Sequence, residues 1–235
     1  MTRIQAILFD FGGTLDGNGL HWRERAYRFL QSKFPHVSRE EFDQADRASV
    51  ERFVASGDGR KCNLRQTADA IFTGIYEGLE LNPRIRDVFL HDFCRDAERW
   101  LHHNRQWLAS LRTDYRLGVI SNNFGNTMGW CDDYAFSPLL DVIVDSTVVG
   151  IKKPDGGIFR AALSELGVSA SEAIYVGDTY LDDMVGAKSV GMWTAWLVGD
   201  QPDTRQESSA ADFRLKRIQE LDRFLQSRGA RFDPT

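Results

Sequence analysis

The chain has 235 residues, of which 42% are hydrophobic and 27% are charged, and its formal net charge at pH 7 is −5. This composition is typical of a globular protein, and the acidic balance disfavours a nucleic-acid-binding protein, which usually carries a basic excess. Three distant cysteines, Cys62, Cys94 and Cys131, indicate neither a disulfide framework nor a zinc site. The N-terminal apolar run is too short for a signal peptide or a membrane span. We therefore expect a cytoplasmic monomer or weak homodimer with no nucleic-acid or membrane partner.

The first predicted element is a short apolar run that ends on Asp10 and is followed closely by Gly12 and Gly13. Such a run predicts a fully buried strand. An aspartate at the carboxyl edge of a parallel sheet lies where these sheets bind ligands, and glycines allow backbone amides to come close to a ligand. The same residues could form only a turn, so the sequence downstream decides between the two interpretations.

Residues from about 19 to 100 have helical spacing and almost no strand signal. Four apolar faces are present: Trp22, Ala26, Phe29 and Leu30; Phe42, Ala45, Ser49 and Phe53; Leu64, Ala68, Ile71, Ile75 and Leu79; and Ile85, Val88, Phe89, Phe93, Ala97 and Trp100. Ser38 and Glu41 form a capping box before the second face. The pattern predicts a four-helix bundle inserted at residues 17–103, with its aromatic residues in the core.

From about residue 104 the pattern alternates between helices and strands. Strands are predicted at 116–121, 142–145, 173–177, 192–197 and 213–215, and helices near 126–134, 157–166 and 182–189 and at the C-terminus. Repeated β–α units with apolar strands predict a parallel sheet covered by helices on both faces. The opening strand needs this sheet to be buried, so residues 1–16 and 104–235 are expected to form one discontinuous α/β domain.

Polar residues follow four of these strands. They are Asp10, then Ser121 to Asn123, then Lys152 to Asp155, and finally Asp178 to Asp183. Because the carboxyl ends of strands in a doubly wound sheet line one crevice, we expect the four groups to converge. Each group alone could be a helix cap or a loop charge, but the ordered set of four is much less expected by chance.

The four groups together could transfer a phosphoryl group. The Asp10 carboxylate can act as a nucleophile and bind a metal through its second oxygen. Oxygen ligands from Asp10 and Asp178, with a backbone carbonyl and waters, suit Mg²⁺. Ser121 can donate a hydrogen bond to a phosphate oxygen, and a lysine can neutralise charge in the transition state.

At this point the chain resembles the haloacid dehalogenase-like superfamily of hydrolases. The segments similar to its four motifs are FDFGGTL at 9–15, VISN at 119–122, KPD at 153–155 with IF at 158–159, and VGD at 176–178 through Asp183 with Gly186 and Ala187. The resemblance implies a Rossmann-like, doubly wound core with a four-helix cap and a dependence on Mg²⁺. The acidic fourth motif disfavours the dehalogenating branch of the family. The branch that cleaves carbon–phosphorus bonds uses a lysine of the helical part, and neither Lys33 nor Lys61 lies in a sequence that resembles it.

The resemblance also implies roles for individual residues. Asp10 would be the nucleophile that becomes a phospho-aspartate, and Ser121 and Lys153 would bind phosphate. Asp10, Asp178 and the Gly12 carbonyl would bind the metal. Asp183 would contact either the lysine or, through water, the metal. Gly13, Thr14 and Asn122 are expected to contact the substrate. Arg60 and Lys61, in a glycine-rich turn of the helical part, could reach an anionic substrate, although an exposed turn is the more common explanation.

One position departs from the family pattern. Phosphatases of this family usually carry an aspartate two residues after the nucleophile, which acts as general acid and base, and this chain has Gly12 there. Losing that group typically costs about 10²- to 10⁴-fold in rate. The leaving group could need no proton, as in acyl or aryl phosphates, or Asp16 or His21 could replace the acid. The main hypothesis is a Mg²⁺-dependent phosphohydrolase for a small phosphorylated metabolite; the alternative is a weak or inactive relative that binds phosphate or a partner.

Overall fold

The computed structural model describes residues 3–200 and 209–227. Six parallel strands form one sheet in the order β3-β2-β1-β4-β5-β6. They are β1 (Ala6–Phe9), β2 (Arg116–Ser121), β3 (Val142–Asp145), β4 (Ala173–Gly177), β5 (Trp193–Leu197) and β6 (Phe213–Leu215). This is the Rossmann strand order, and the winding direction reverses between β1 and β4, where such sheets bind ligands. The predicted doubly wound α/β fold is confirmed.

Both faces of the sheet are buried, as the continuous apolar strands predict. Ile7 and Phe9 belong to one apolar cluster, and the alternate residues Ala6 and Leu8 belong to the other. The first cluster contains side chains of helices α4 (Pro83–Leu111), α5 (Thr127–Asp133) and α9 (Leu221–Ser227). The second contains side chains of α7 (Gly156–Leu166) and α8 (Gly186–Ser189). The sheet is therefore the middle of three layers.

Three further helices lie between β1 and β2 in the chain: α1 (Trp22–Lys33), α2 (Arg39–Ser56) and α3 (Leu64–Gly78). The predicted capping box is present at the start of α2, where Ser38 Oγ accepts from the Glu41 amide and Glu41 accepts from the Ser38 amide. Gly74 allows α3 to approach α2, because a Cβ at this position would overlap the Ser49 side chain. The predicted aromatic core of the bundle contains Phe53, Phe89 and Phe93, and the partly buried Trp22 and Phe29 pack against it. Trp100 lies outside both apolar clusters, and Val88, predicted on an apolar face, is 53% exposed.

Helix α4 is continuous through residue 103, where the sequence predicts the end of the helical insertion. Its first half contributes Phe89 and Phe93 to the helical bundle, and its second half contributes Trp107 and Leu108 to the cluster on the sheet. The division into a core of residues 1–16 and 104–235 and an insertion of residues 17–103 stays a prediction.

Two local features differ from the predicted elements. A short helix, α6 (Ser146–Val149), directly follows β3. The segment predicted as one helix at 182–189 consists of a wider turn at Tyr180–Val185 followed by α8. Among residues 3–200 and 209–227, no helix is long and apolar enough to cross a lipid bilayer.

Candidate active site

The loop after β1 brings Asp10 next to Asp178, which follows β4. Gly13 has φ of +87°, and a Cβ at this position would lie 2.6 Å from Asp178 Oδ2, so both conformation and space require glycine. The Thr14 hydroxyl, fully buried, donates to Asp178 Oδ1 at 3.2 Å. Of the two expected substrate contacts, Thr14 thus holds Asp178 in place, whereas Gly13 leaves room for this carboxylate and donates its amide to Asp16 at 2.6 Å.

Lys153 is the centre of a buried polar network. Its side-chain nitrogen donates to Asp10 Oδ1 and Asp183 Oδ1, both at 2.7 Å, and to the Tyr175 hydroxyl at 3.0 Å. The residue is only 4% exposed, whereas the neighbouring Lys152 faces solvent. Burial would lower the pKa of Lys153, but the Asp10 and Asp183 carboxylates raise it well above its usual value. The lysine therefore stays charged.

Asn122 positions the lysine from the neighbouring loop. Its side-chain oxygen accepts from the Lys153 amide at 2.8 Å, and its side-chain nitrogen donates to the Lys153 carbonyl at 3.1 Å. Ser121, at the end of β2, is buried and lines the same cavity as Asn122. The groups after β2 and β3 are therefore joined before any ligand is present.

Asp183 is held on both carboxylate oxygens. Oδ1 accepts from Lys153 and lies 3.3 Å from the Tyr175 hydroxyl oxygen, and Oδ2 accepts from the Thr179 amide at 2.8 Å. A Cβ on Gly177 would overlap this carboxylate, so glycine is needed where β4 ends. Burial raises the pKa of Asp183, and the Lys153 charge opposes this rise. Of the two expected roles, the geometry agrees with that of lysine partner.

The acidic residues form a group whose geometry fits a divalent cation. One carboxylate oxygen each from Asp10, Asp178 and Asp183 lie within 4.8 Å of one another. Burial, and then the charges of Asp10 and Asp183, raise the pKa of Asp178 well above its usual value. Buried carboxylates that repel one another are stabilised by a cation, and hard oxygen ligands suit Mg²⁺. Each of the three aspartates offers one carboxylate oxygen to an ion at this point.

A cavity of about 220 Å³ lies between the strand ends and helices α1 to α3. Its lining residues are Gly12, His21, Trp22, Arg23, Asp46, Val50, Ile71, Phe72, Ser121, Asn122, Asn123, Phe124 and Trp130. Gly12 and Ser121 belong to the loops that carry the candidate catalytic groups, whereas Asp46, Val50, Ile71 and Phe72 belong to helices. The helical part therefore forms the wall opposite the sheet edge, where the organic part of a substrate would lie.

The candidate replacements for the missing acid have other contacts. Asp16 is fully buried, and its two oxygens accept from the Gly13 amide and from the Trp22 indole nitrogen. Burial raises the pKa of Asp16, although the Arg25 charge opposes this. His21 lines the cavity, and its Nδ1 accepts from the Arg23 amide at 3.3 Å as the N-cap of α1.

Arg60 and Lys61 are exposed and lie outside the set of residues that line the cavity. Their turn packs against the loop after β2, where a Cβ on Gly125 would lie 2.7 Å from Arg60 Cγ. A Cβ on Gly59 would likewise lie 2.7 Å from Phe124 Cβ. In this position the turn supports the loop after β2 and does not face the cavity.

Two residues of the site were missed by the sequence analysis. Tyr175 lies inside β4, and its hydroxyl donates to the Ile120 carbonyl at 2.9 Å as well as contacting Lys153. A tyrosine in an apolar strand carries no signal of such a role. Asp145 ends β3 and accepts from the amides of Gly125 and Thr127 and from the Thr127 hydroxyl. Its position at a predicted strand end was a signal that could have identified it.

Comparison with known proteins agrees with the resemblance seen in the sequence motifs. A family model described as haloacid dehalogenase-like hydrolase matches residues 4–191. A Mus musculus protein, haloacid dehalogenase-like hydrolase domain-containing protein 3, is 42% identical over 68% of this chain and 67% of its own length. Glyceraldehyde 3-phosphate phosphatase from Pyrococcus furiosus is 28% identical over 84% of this chain and 82% of its own length. The protein of the same name from Pyrococcus abyssi is 37% identical, but the match spans only 40% of each chain.

Solved structures agree with the fold. A HAD-hydrolase from Bacillus subtilis, crystallised with magnesium, has a TM-score of 0.58 and 16% identity, covering 95% of this chain and 99% of that chain. At this identity the likeness shows the fold alone.

Proposed function

The chain belongs to the haloacid dehalogenase-like hydrolase family, and from this premise we propose that it is a Mg²⁺-dependent phosphohydrolase for a small phosphorylated compound. The observation that carries the proposal is the position of Lys153 between Asp10 and Asp183, with Asp178 in the same acidic group. A charged lysine next to a buried carboxylate at a strand end is the arrangement that phosphoryl transfer to a carboxylate needs. The relatives named as phosphatases support the same class of reaction.

In the proposed reaction an Asp10 carboxylate oxygen attacks phosphorus while the bond from phosphorus to the leaving oxygen breaks. Lys153 neutralises negative charge on Asp10 and on the phosphoryl oxygens, and Asp183 and Tyr175 hold the lysine in place. Ser121 donates to a phosphoryl oxygen at the end of β2. Water then attacks the phospho-aspartate, which releases inorganic phosphate and restores Asp10. Mg²⁺ held by Asp10, Asp178 and the Gly12 carbonyl would supply charge neutralisation.

The test is phosphate release from acetyl phosphate and phenyl phosphate with Mg²⁺, and again after chelation of the metal. We expect wild-type activity that depends on Mg²⁺ and falls to background in Asp10→Asn, because the amide is not nucleophilic. Asp114→Asn is the matched control, since Asp114 is exposed and precedes β2 at the opposite edge of the sheet. Activity that survives Asp10→Asn, or that is absent from the wild type on both compounds, contradicts the proposal.

A second candidate function is phosphate or partner binding without turnover, and Gly12 is the observation that favours it. The rest of the site would still bind phosphate, since Lys153 and Ser121 do not depend on residue 12. A wild-type protein that binds inorganic phosphate and Mg²⁺ but gains turnover only as Gly12→Asp supports this second function.

A further inference from the structure

We propose that the substrates are aryl phosphates, in which the phosphate is esterified to a phenolic oxygen of an aromatic ring. The inference rests on the proposed function and narrows its substrate class. Two independent features of the cavity carry it: the apolar and aromatic character of its walls, and the lack of a proton donor next to the position of the leaving oxygen.

The walls of the cavity fit a small, flat apolar group. Trp22 and Trp130 stack with ring centroids 5.4 Å apart and an angle of 11° between their planes. The other apolar lining residues are Val50, Ile71, Phe72 and Phe124. The volume of about 220 Å³ is below the roughly 300–1,000 Å³ that drug-sized ligands occupy. These walls would bury a single aromatic ring with few substituents.

The charged residues of the lining lie close to opposite charges. A terminal nitrogen of Arg23 lies 2.7 Å from Asp43 Oδ1, and Arg23 Nε lies 3.1 Å from Asp46 Oδ2, although this buried Nε has no hydrogen-bond partner among the described residues. The guanidinium charge is thus balanced by two carboxylates of α2. Apart from this network and His21, the residues lining the cavity in the described part of the chain are uncharged. Because these opposite charges nearly cancel, the walls offer little to a second phosphate.

The floor of the cavity lacks an acid next to the leaving oxygen. A Cβ on Gly12 would lie 3.7 Å from the Trp22 indole nitrogen, so the edge of an aromatic ring borders the place where an acidic side chain would extend. The two oxygens of Asp16 accept from the Gly13 amide and the Trp22 indole, and His21 Nδ1 accepts from the Arg23 amide. In the proposed reaction none of these groups protonates the leaving oxygen, which departs as an anion.

Phenolates leave in this way and alkoxides do not. When Asp10 attacks, the bond between phosphorus and the aryl oxygen breaks, and its electron pair stays on the phenolate, which is protonated later in water. Phenols have pKa values near 10, as tyrosine does, whereas sugar and glycerol hydroxyls are far weaker acids. The carboxylate of an acyl phosphate also leaves as a stable anion, but a simple acyl phosphate has no aromatic ring to bury in the cavity.

Four compounds separate the two features. Phenyl phosphate has an aromatic ring and a leaving group that is stable as an anion. Benzyl phosphate has the ring but an unstable leaving anion, acetyl phosphate has the stable anion but no ring, and glycerol 3-phosphate has neither. We expect kcat/KM to be about 10²-fold or more higher for phenyl than for benzyl phosphate, as the loss of acid catalysis predicts. We also expect KM for phenyl phosphate to be about tenfold or more below that for acetyl phosphate, because a ring is buried.

A pair of valines on α2 tests the wall directly. Val50 lines the cavity, whereas Val54, one turn further along, is 60% exposed and lies outside it. Val50→Asn should raise KM for phenyl phosphate about three- to tenfold, since it places an amide against the ring, and leave KM for acetyl phosphate unchanged. Val54→Asn should change neither value.

The outcomes are distinguishable. Equal kcat/KM for phenyl and benzyl phosphate, or a KM for phenyl phosphate no lower than that for acetyl phosphate, overturns the aryl assignment while leaving the phosphohydrolase proposal intact. An absence of turnover on both phenyl phosphate and acetyl phosphate overturns the phosphohydrolase proposal, and the aryl assignment fails with it.

Discussion

At the scale of single residues, two adjacent glycines after β1 have different reasons to be glycine. Gly13 has a positive φ and lies against the Asp178 carboxylate, so the fold excludes any side chain there. Gly12 has φ of −74°, and a Cβ would make only ordinary contacts with Trp22. The backbone therefore accepts a larger residue at position 12. Neither conformation nor space in this loop requires glycine at position 12.

The substitution Gly12→Asp tests this distinction. We expect kcat/KM for benzyl phosphate and glycerol 3-phosphate to rise by about 10²-fold or more, because a carboxyl group can now protonate the alkoxide. The value for phenyl phosphate should change much less. Steady-state kinetics with the four compounds measure the effect. Gly129→Asp is the control, since a side chain at this exposed position in α5 meets open space. Unchanged alkyl phosphate turnover in a folded Gly12→Asp protein contradicts this account.

At the scale of elements, strand β3 and helix α5 hold the loop that follows Ser121. Asp145, at the end of β3, accepts from Gly125, Thr127 and the Thr147 amide. On the other side of the loop, Asn126 donates to the Cys62 carbonyl at 3.0 Å and to Thr67, and the Trp130 indole donates to the same carbonyl at 3.1 Å. The loop is therefore anchored both to the sheet and to the helical part.

Two aspartates flank β3 and make a matched pair. Asp145→Asn replaces an acceptor by an NH₂ group that faces other donors, which should lower the free energy of unfolding by about 1–3 kcal/mol. It should also reduce kcat/KM, by up to about 10²-fold, because Ser121 and Asn122 lose their support. Asp141, at the start of the strand, accepts from the Leu117 amide and Arg112 at the opposite edge. Asp141→Asn should cost stability alone. Denaturation curves and kinetics of both variants separate the effects, and equal losses of kcat/KM would contradict the assignment.

At the scale of the whole molecule, three carboxylates and one lysine from distant parts of the chain form one group, in which Asp178 is partly buried and the other three residues are buried. Folding brings Asp10, Lys153, Asp178 and Asp183 together, and three negative charges against one positive charge leave an excess of repulsion. Because the pKa of Asp178 is raised on folding, its ionised form is favoured in the unfolded chain. At pH 7 this carboxylate therefore disfavours the fold without a cation, and the penalty disappears below its ordinary pKa.

A bound divalent ion should consequently stabilise the protein. Mg²⁺ at 100 times its Kd is expected to raise the free energy of unfolding by about 2.7 kcal/mol. Asp178→Asn should abolish this increase and make the metal-free protein more stable than wild type, because one repelling charge is removed. Asp182→Asn is the control, since Asp182 lies outside the acidic group and should keep the Mg²⁺ effect. Denaturation with and without Mg²⁺ measures both, and a full Mg²⁺ effect in Asp178→Asn would exclude the proposed site.

Much of the fold could be predicted because its strands are short apolar runs that need no further context. The bounds of β2, β3 and β4 agree with the sequence analysis, and the capping box at Ser38 is present. The convergence of the four polar groups follows from parallel topology alone. The role of Tyr175 could not be predicted, because inward and outward positions of a fully buried strand have the same apolar character. The continuation of α4 through residue 103 could not be predicted either, because its first half packs in the helical bundle and its second half packs on the sheet.

The order of helices and strands, the alternation that makes a parallel sheet and the side chains at the strand ends, Lys153 among them, follow from local patterns and chain direction. The contacts between these side chains come from the folded chain: Lys153 bridges Asp10 and Asp183, and Asp16 and Thr14 hold the loop after β1 and Asp178. The tertiary structure also decided which aromatic residues line the cavity. These outcomes depend on distances between residues far apart in the chain, which close packing sets and no local pattern encodes.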